Sequence, residues 1–340
     1  MGAGHDAAGK LAAFRITGSR TSSATEPCDR SIDEHIDQTP NSTKRTIGIL
    51  LAVLAIQTCS FASPSAAEGD DNQGCPDKSQ YTLFNPTPSN CMREFEPDRP
   101  DLTNNPFTVD AGHVQVESDL FNYSLSSPDQ DGTITEKFLF GSTNIRVGTT
   151  NNTELQFLLQ PFNAVRMRFK NPAMTTWDAG PDVLEITGKY NFYGNDTFEK
   201  PGSTALGIIP FIDIPTVHNG VGEDHVEGGV DVPFAIKFTE KTELELMTEY
   251  DFVKNNQGSG YHVEYFNSGS FSYEFNSKFS TYVEVATLFG NEDPSGGIVT
   301  IGTGLLYQPN NNLQIDVGSN FGVTQASDRI NPFVGLTKRF

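Results

Sequence analysis

From Val109 to Phe340 the chain alternates between apolar and polar residues with a period of two. Val114, Val116 and Leu120 alternate with Gln115, Glu117 and Asp119. Leu155, Phe157 and Leu159 alternate with Glu154, Gln156 and Gln160, and Phe271, Tyr273 and Phe275 with Ser270, Ser272 and Glu274. Leu313, Ile315 and Val317 flank Gln314 and Asp316. Successive side chains of a strand point to opposite faces, so this period predicts strands with one apolar face. The pattern predicts about twelve of them, at 109–124, 133–149, 153–170, 182–195, 203–215, 227–239, 241–254, 260–275, 277–290, 297–309, 311–325 and 329–340.

Alternation serves a soluble sandwich and a membrane barrel equally well, and the connections separate the two. Short turns at 150–152, 240, 276 and 310 take turns with longer loops at 125–132, 171–181, 216–226, 255–259, 291–296 and 326–328; the joint at 196–202 is intermediate. Short turns at one end and longer loops at the other are the habit of outer-membrane barrels, whose strand number is even. The expected fold is therefore all-β, a transmembrane antiparallel up-and-down β-barrel in a bacterial outer membrane. Its apolar face, with positions 313, 315 and 317, meets lipid, and Asp316 meets the lumen. Mature segments contain no apolar run of the length a membrane helix needs.

Composition agrees. Hydrophobic residues are only 36% of the chain, yet it holds 25 Phe and 10 Tyr and carries a net charge of −20. The aromatic content and the regular alternation argue against disorder, and the acidic balance against a nucleic-acid partner. Ile47 to Ile56 is a short apolar run behind Lys44 and Arg45, followed by Ser65-Ala66-Ala67, the pattern of a secretory signal. Residues 1–42 are then a leader extension or a mis-set start, 43–67 the signal peptide, 68–108 a periplasmic N-terminal segment and 109–340 the barrel. Export makes a disulfide between Cys75 and Cys91 a candidate, with two free thiols as the alternative.

At the first strand the residues match a known pattern. The stretch EFEPDRPDLTNNPFTVDAGHVQVESDLFNYS, Glu94 to Ser124, resembles the opening of the outer-membrane family named putative MetA-pathway of phenol degradation. LLYQPNNNLQIDVGSNFGV and the terminal GLTKRF resemble its closing part. The resemblance implies an outer-membrane channel with a link to uptake of aromatic compounds, and no catalytic residues.

The chemistry to be placed is charge. Parity sends Glu117, Asp119, Glu154, Glu185, Glu243, Glu245, Glu249, Glu284 and Asp316 inward with Arg146 and Lys189, and adds Arg166, Arg168 and Lys170 to the inward bases. Such a lumen either interlocks in ion pairs or stays wet and favours cations. Asp98, Arg99 and Asp101 around the stiff Pro100 read as a plug at the periplasmic mouth, Arg99 forked onto lumen carboxylates, or as a structural clasp. Phe266, Leu158 and Met247 also face inward, as a patch for an aromatic solute or as packing. No zinc-ligand spacing, nucleophile motif or cofactor loop occurs, so neither enzyme activity nor a metal or cofactor is expected. The functional expectation is passive uptake of small solutes, aromatic or hydrophobic compounds among them. The alternative is a closed structural or surface-interaction barrel. The expected partners are outer-membrane lipid, the outer-membrane insertion machinery and a small-molecule solute.

Overall fold

A computed structural model describes residues 75, 77–182, 184–215, 225–255, 258–292 and 296–340. The leader and signal segments expected over 1–67 lie outside the described residues. The strands are β1 (Val114–Ser126), β2 (Ile134–Phe140), β3 (Ser142–Thr150), β4 (Thr153–Leu159), β5 (Phe162–Phe169), β6 (Met174–Gly180), β7 (Leu184–Tyr193) and β8 (Thr204–Ile214). They continue with β9 (Glu227–Thr239), β10 (Thr242–Lys254), β11 (Tyr261–Asn276), β12 (Phe279–Phe289), β13 (Ile298–Asn310), β14 (Leu313–Gly322) and β15 (Asp328–Arg339). All pairings are antiparallel, and β15 pairs with β1 to close the sheet. Three pairs of segments, β2–β3, β4–β5 and β6–β7, are single staves broken in the middle, so the closed barrel has 12 staves.

The breaks have a common cause. Gly141 takes φ 69°, Pro161 and Pro181 bring no backbone donor, and β1 carries a bulge between Asp119 and Phe121. These irregularities lie side by side: Phe140 pairs with Phe162, and the Asp182 N–H donates to the Gln160 carbonyl at 3.0 Å. Each inserts one step, and a one-residue step turns every later side chain to the other face. Below the line Glu117, Arg146, Glu154 and Lys189 point inward; above it Asn122, Lys137 and Asn163 do.

Three expectations change here. Arg166 and Arg168 face outward, not inward: the Arg166 guanidinium lies 5.2 Å from the ring of Trp177, itself 56% exposed on the barrel's exterior. Lys170, at the end of the same stave, is exposed. The expected loop 171–181 is instead a turn followed by β6, which pairs with β5. The first strand also begins later than expected, at Val114, because residues before it are spent inside the barrel.

The exterior is apolar. Leu155, Leu246, Phe252, Val283, Val285, Ile301 and Val317 are all exposed large hydrophobics. Aromatic pairs edge this band, Tyr273–Phe275 and Phe279–Tyr307 near the short turns and Tyr250–Tyr265 towards the far end. A band of this kind with aromatic girdles is the lipid-facing surface of an outer-membrane barrel. Val317 lies mid-strand on β14 and is 54% exposed. Val317→Arg should cost about 2–4 kcal/mol in reversible unfolding from bilayers, with Val317→Leu close to neutral.

The start of β1 and the end of β15 meet at the short-turn rim. The Phe340 N–H donates to the Val114 carbonyl at 2.8 Å, and His113 Nδ1 lies 2.9 Å from the Phe340 carbonyl oxygen. That rim is the periplasmic one, since periplasmic turns are the short ones.

Candidate functional site in the barrel lumen

The segment before β1 fills the lumen. Phe95, Asp98 to Ala111 and the lower wall around them are buried. Pro97, Pro100 and Pro106 keep this stretch out of any strand ladder, so its backbone N–H groups need acceptors elsewhere. The wall carboxylates supply them. Glu117 accepts from the N–H groups of Asp98 and Arg99 at 3.2 and 3.1 Å. Glu284 accepts from Leu102 N–H at 2.9 Å and from the Thr103 hydroxyl at 2.6 Å. Glu154 accepts from Val109 N–H at 2.6 Å. Much of the inward acidity therefore serves as an acceptor set for the plug's backbone, and charged acceptors make the stronger bonds.

Charge pairing completes the seat. Arg99 donates from Nη1 to Asp119 at 2.6 Å and from Nη2 to Asp316 at 2.7 Å. Asp119, Gly335 and Asp316 form one cross-strand row on β1, β15 and β14. A side chain on Gly335 would place its Cβ 2.0 Å from an Arg99 nitrogen, so the glycine makes the slot in which the guanidinium lies between its two carboxylates. Burial disfavours the charged guanidinium, and Asp119 and Asp316 outweigh that to hold its pKa well above the ordinary value.

A second knot lies beside the first. Arg146 is fully buried and contacts Asp98 at 2.8 Å and Glu117 and Glu154 at 2.9 Å each, while Nη2 donates to the Phe107 carbonyl at 2.9 Å. Lys189 Nζ binds Asp98 at 2.7 Å. Asp98 is thus the plug's carboxylate between two wall cations, as Arg99 is its cation between two wall carboxylates. An arginine in place of Asp316 would meet Arg99 instead of pairing with it.

Other candidates lie apart from these knots. Glu185 accepts from Thr187 at 2.7 Å within its own strand, and Glu249 is fully buried on β10. Asp101 is buried on the plug near Glu243 and Glu245. With Glu94, Glu96 and Glu274, those two make an acidic side to the lumen that Lys237 opposes. It leads to a cavity of about 600 Å³ at the periplasmic mouth, lined in part by Arg93, Glu94, Phe95, Glu274 and Arg339. Cys75 and Cys91 are disulfide-bonded, Cα to Cα 5.5 Å, outside this cavity's lining.

Burial, then Glu243 and Glu94, hold the plug's Glu96 carboxyl well above the usual range. A carboxyl raised in the folded state favours the seated plug at low pH, and that contribution fades as pH rises past its ordinary value toward the raised one. Bilayer recordings should therefore show more open-state occupancy near about pH 8 than near about pH 5.

Several contact residues escape sequence reasoning. Asn104 reaches Asp231 at 2.9 Å, Asn191 reaches the Pro106 carbonyl at 2.9 Å, and Asn195 reaches Thr108 at 2.8 Å. The only signal was the Asn content of the plug and staves. Gly335 gave none.

The architecture is shared with known barrels. An outer-membrane channel from Pseudomonas putida F1 superposes with a TM-score of 0.56 at 14% identity, over 72% of this chain and 100% of that one. The translocator domain of the autotransporter NalP from Neisseria meningitidis reaches 0.44 at 10% identity, over 67% and 88%, too distant to carry any argument. Comparison with curated protein sequences finds no match. The match that assigns the chain runs from Pro97, the residue before Asp98, through the last strand. Over residues 97–340 the chain belongs to the family described as putative MetA-pathway of phenol degradation.

Proposed function

We propose that this barrel is an outer-membrane channel for passive uptake of small solutes, with aromatic or hydrophobic compounds as the favoured class. The observation that carries it is an apolar strip on the inner wall. Met247, Phe266, Ala286, Leu288 and Ile298, from β10 to β13, cluster with Leu102 of the plug, and Phe266 and Leu288 are fully buried. A barrel in lipid puts its apolar residues outside, so an inward strip is an exception to the rule of its own fold. It offers an apolar solute a surface once Leu102 moves. The family description, which points to phenol degradation, names the same chemical class. Passage rather than bond chemistry is the reading.

The ion-pair knots favour a second reading, a closed structural barrel. Reconstitution separates the two. Under the channel reading, liposomes bearing the protein take up phenol-sized aromatics faster than protein-free liposomes, and deleting residues 68–108 raises ion conductance several-fold. Uptake equal to protein-free liposomes, before and after that deletion, would reject the channel.

A further inference from the structure

The outward-facing charges on β2 and β5 are a different matter from the lumen. The Glu136 carboxylate accepts from Tyr123 at 3.0 Å, is forked by Arg166, and lies 3.1 Å from Arg168 Nε. Trp177 stacks on Phe138 with ring centroids 5.8 Å apart, and Arg166 lies over the Trp177 ring. Among the described residues the two terminal nitrogens of Arg168 have no partner, and its side chain is 46% exposed. Lys170 follows, exposed, at the end of the stave. Two guanidinium groups thus share one carboxylate on the outer face, and the exposed Lys170 follows them in the turn with its stem against Gly132, on a chain whose net charge is −20.

Depth identifies their surroundings. Thr153 begins this stave at the periplasmic turn. A strand tilted about 40° climbs about 2.5 Å per residue, so the apolar band of about 25 Å is crossed in about ten residues. Arg166 and Arg168 then stand above the band, level with the headgroups of the outer leaflet, while Phe138, Phe140 and Phe162 lie below them on the same face. Guanidinium groups fork onto phosphate oxygens, and an aromatic floor beneath suits acyl chains.

We propose that Arg166, Arg168 and Lys170 form a site on the outside of the barrel for a phosphate of an outer-leaflet glycolipid, with Trp177 and Phe138 against its acyl chains. Glu136 is the positioning residue that holds both guanidinium groups towards the headgroup plane.

The test uses the full chain in phosphatidylcholine nanodiscs doped with bis-phosphorylated lipid A or with its dephosphorylated form, and reads glycolipid retained per barrel by native mass spectrometry. The phosphorylated form should be retained at least about tenfold better, and Arg166→Gln with Arg168→Gln should abolish the preference. Arg168→Gln alone, at an exposed side chain, serves if the double variant fails to fold, and should weaken retention of the phosphorylated form. Equal retention of both glycolipids, full displacement by excess inorganic phosphate, or an unchanged preference in the folded variants would each overturn the site.

Discussion

Replacing Arg146 with Met should be among the most damaging single changes to this protein, costing about 3–5 kcal/mol. The guanidinium is fully buried and touches three carboxylates, Asp98, Glu117 and Glu154, besides the Phe107 carbonyl. Without it Lys189 remains the cation in contact with Asp98, 3.9 Å from Glu154, and buried acids of like charge are left to face one another. The measurement is urea unfolding of the reconstituted barrel. Arg146→Lys keeps the charge but loses the fork that serves several acceptors at once, so it should lose less than Met does. Adding Glu154→Leu to Arg146→Met should recover part of the loss, because a buried ion pair removed whole costs far less than one removed by half. A cost for Arg146→Met within about 0.5 kcal/mol of wild type, with the plug still seated, would mean that the knot is hydrated and the lumen wetter than its burial shows.

The staves were legible because the signal for them is simple. A period of two, with turn residues between, placed the barrel strands and their inward parity wherever a stave runs unbroken, as at Glu284 and Asp316. It failed where several staves break together. Gly141, Pro161 and Pro181 are visible as residues, but that they fall side by side is a matter of register between strands. A one-residue step there moved Arg166 and Arg168 from lumen to exterior. The plug was legible only as chemistry. Asp98 and Arg99 stood out as charges around prolines, and Arg99 does fork onto inward carboxylates. That those carboxylates also cap the backbone of a strandless segment was beyond any pattern, because the acceptors come from β1, β4 and β12. Gly335 was silent for the same reason, its meaning lying in what occupies the space above it.

That silence makes Gly335 the sharpest probe of the plug. Gly335→Val should open the channel without removing a charge. The Cβ would stand 2.0 Å from one Arg99 nitrogen and 2.3 Å from the guanidinium carbon, far inside contact distance. A long side chain normally swings aside at little cost. This one is held at 2.6 and 2.7 Å by Asp119 and Asp316, on the strands flanking Gly335, so moving it breaks both pairs. Arg99 lies next to Asp98, and a shift there strains the contacts to Lys189 and Arg146 as well. The energy at stake is again about 3–5 kcal/mol, and a displaced plug can let water in to limit it. The expected result is therefore a several-fold rise in single-channel conductance or open time, with the barrel's heat-modifiable gel mobility retained. Arg99→Ala should give the same phenotype by the opposite route, since it empties the slot instead of filling it. The pair of variants distinguishes the two readings of the seat. If both leave conductance at the wild-type level while lowering unfolding stability, the segment is a structural clasp and the solute does not pass where Arg99 lies.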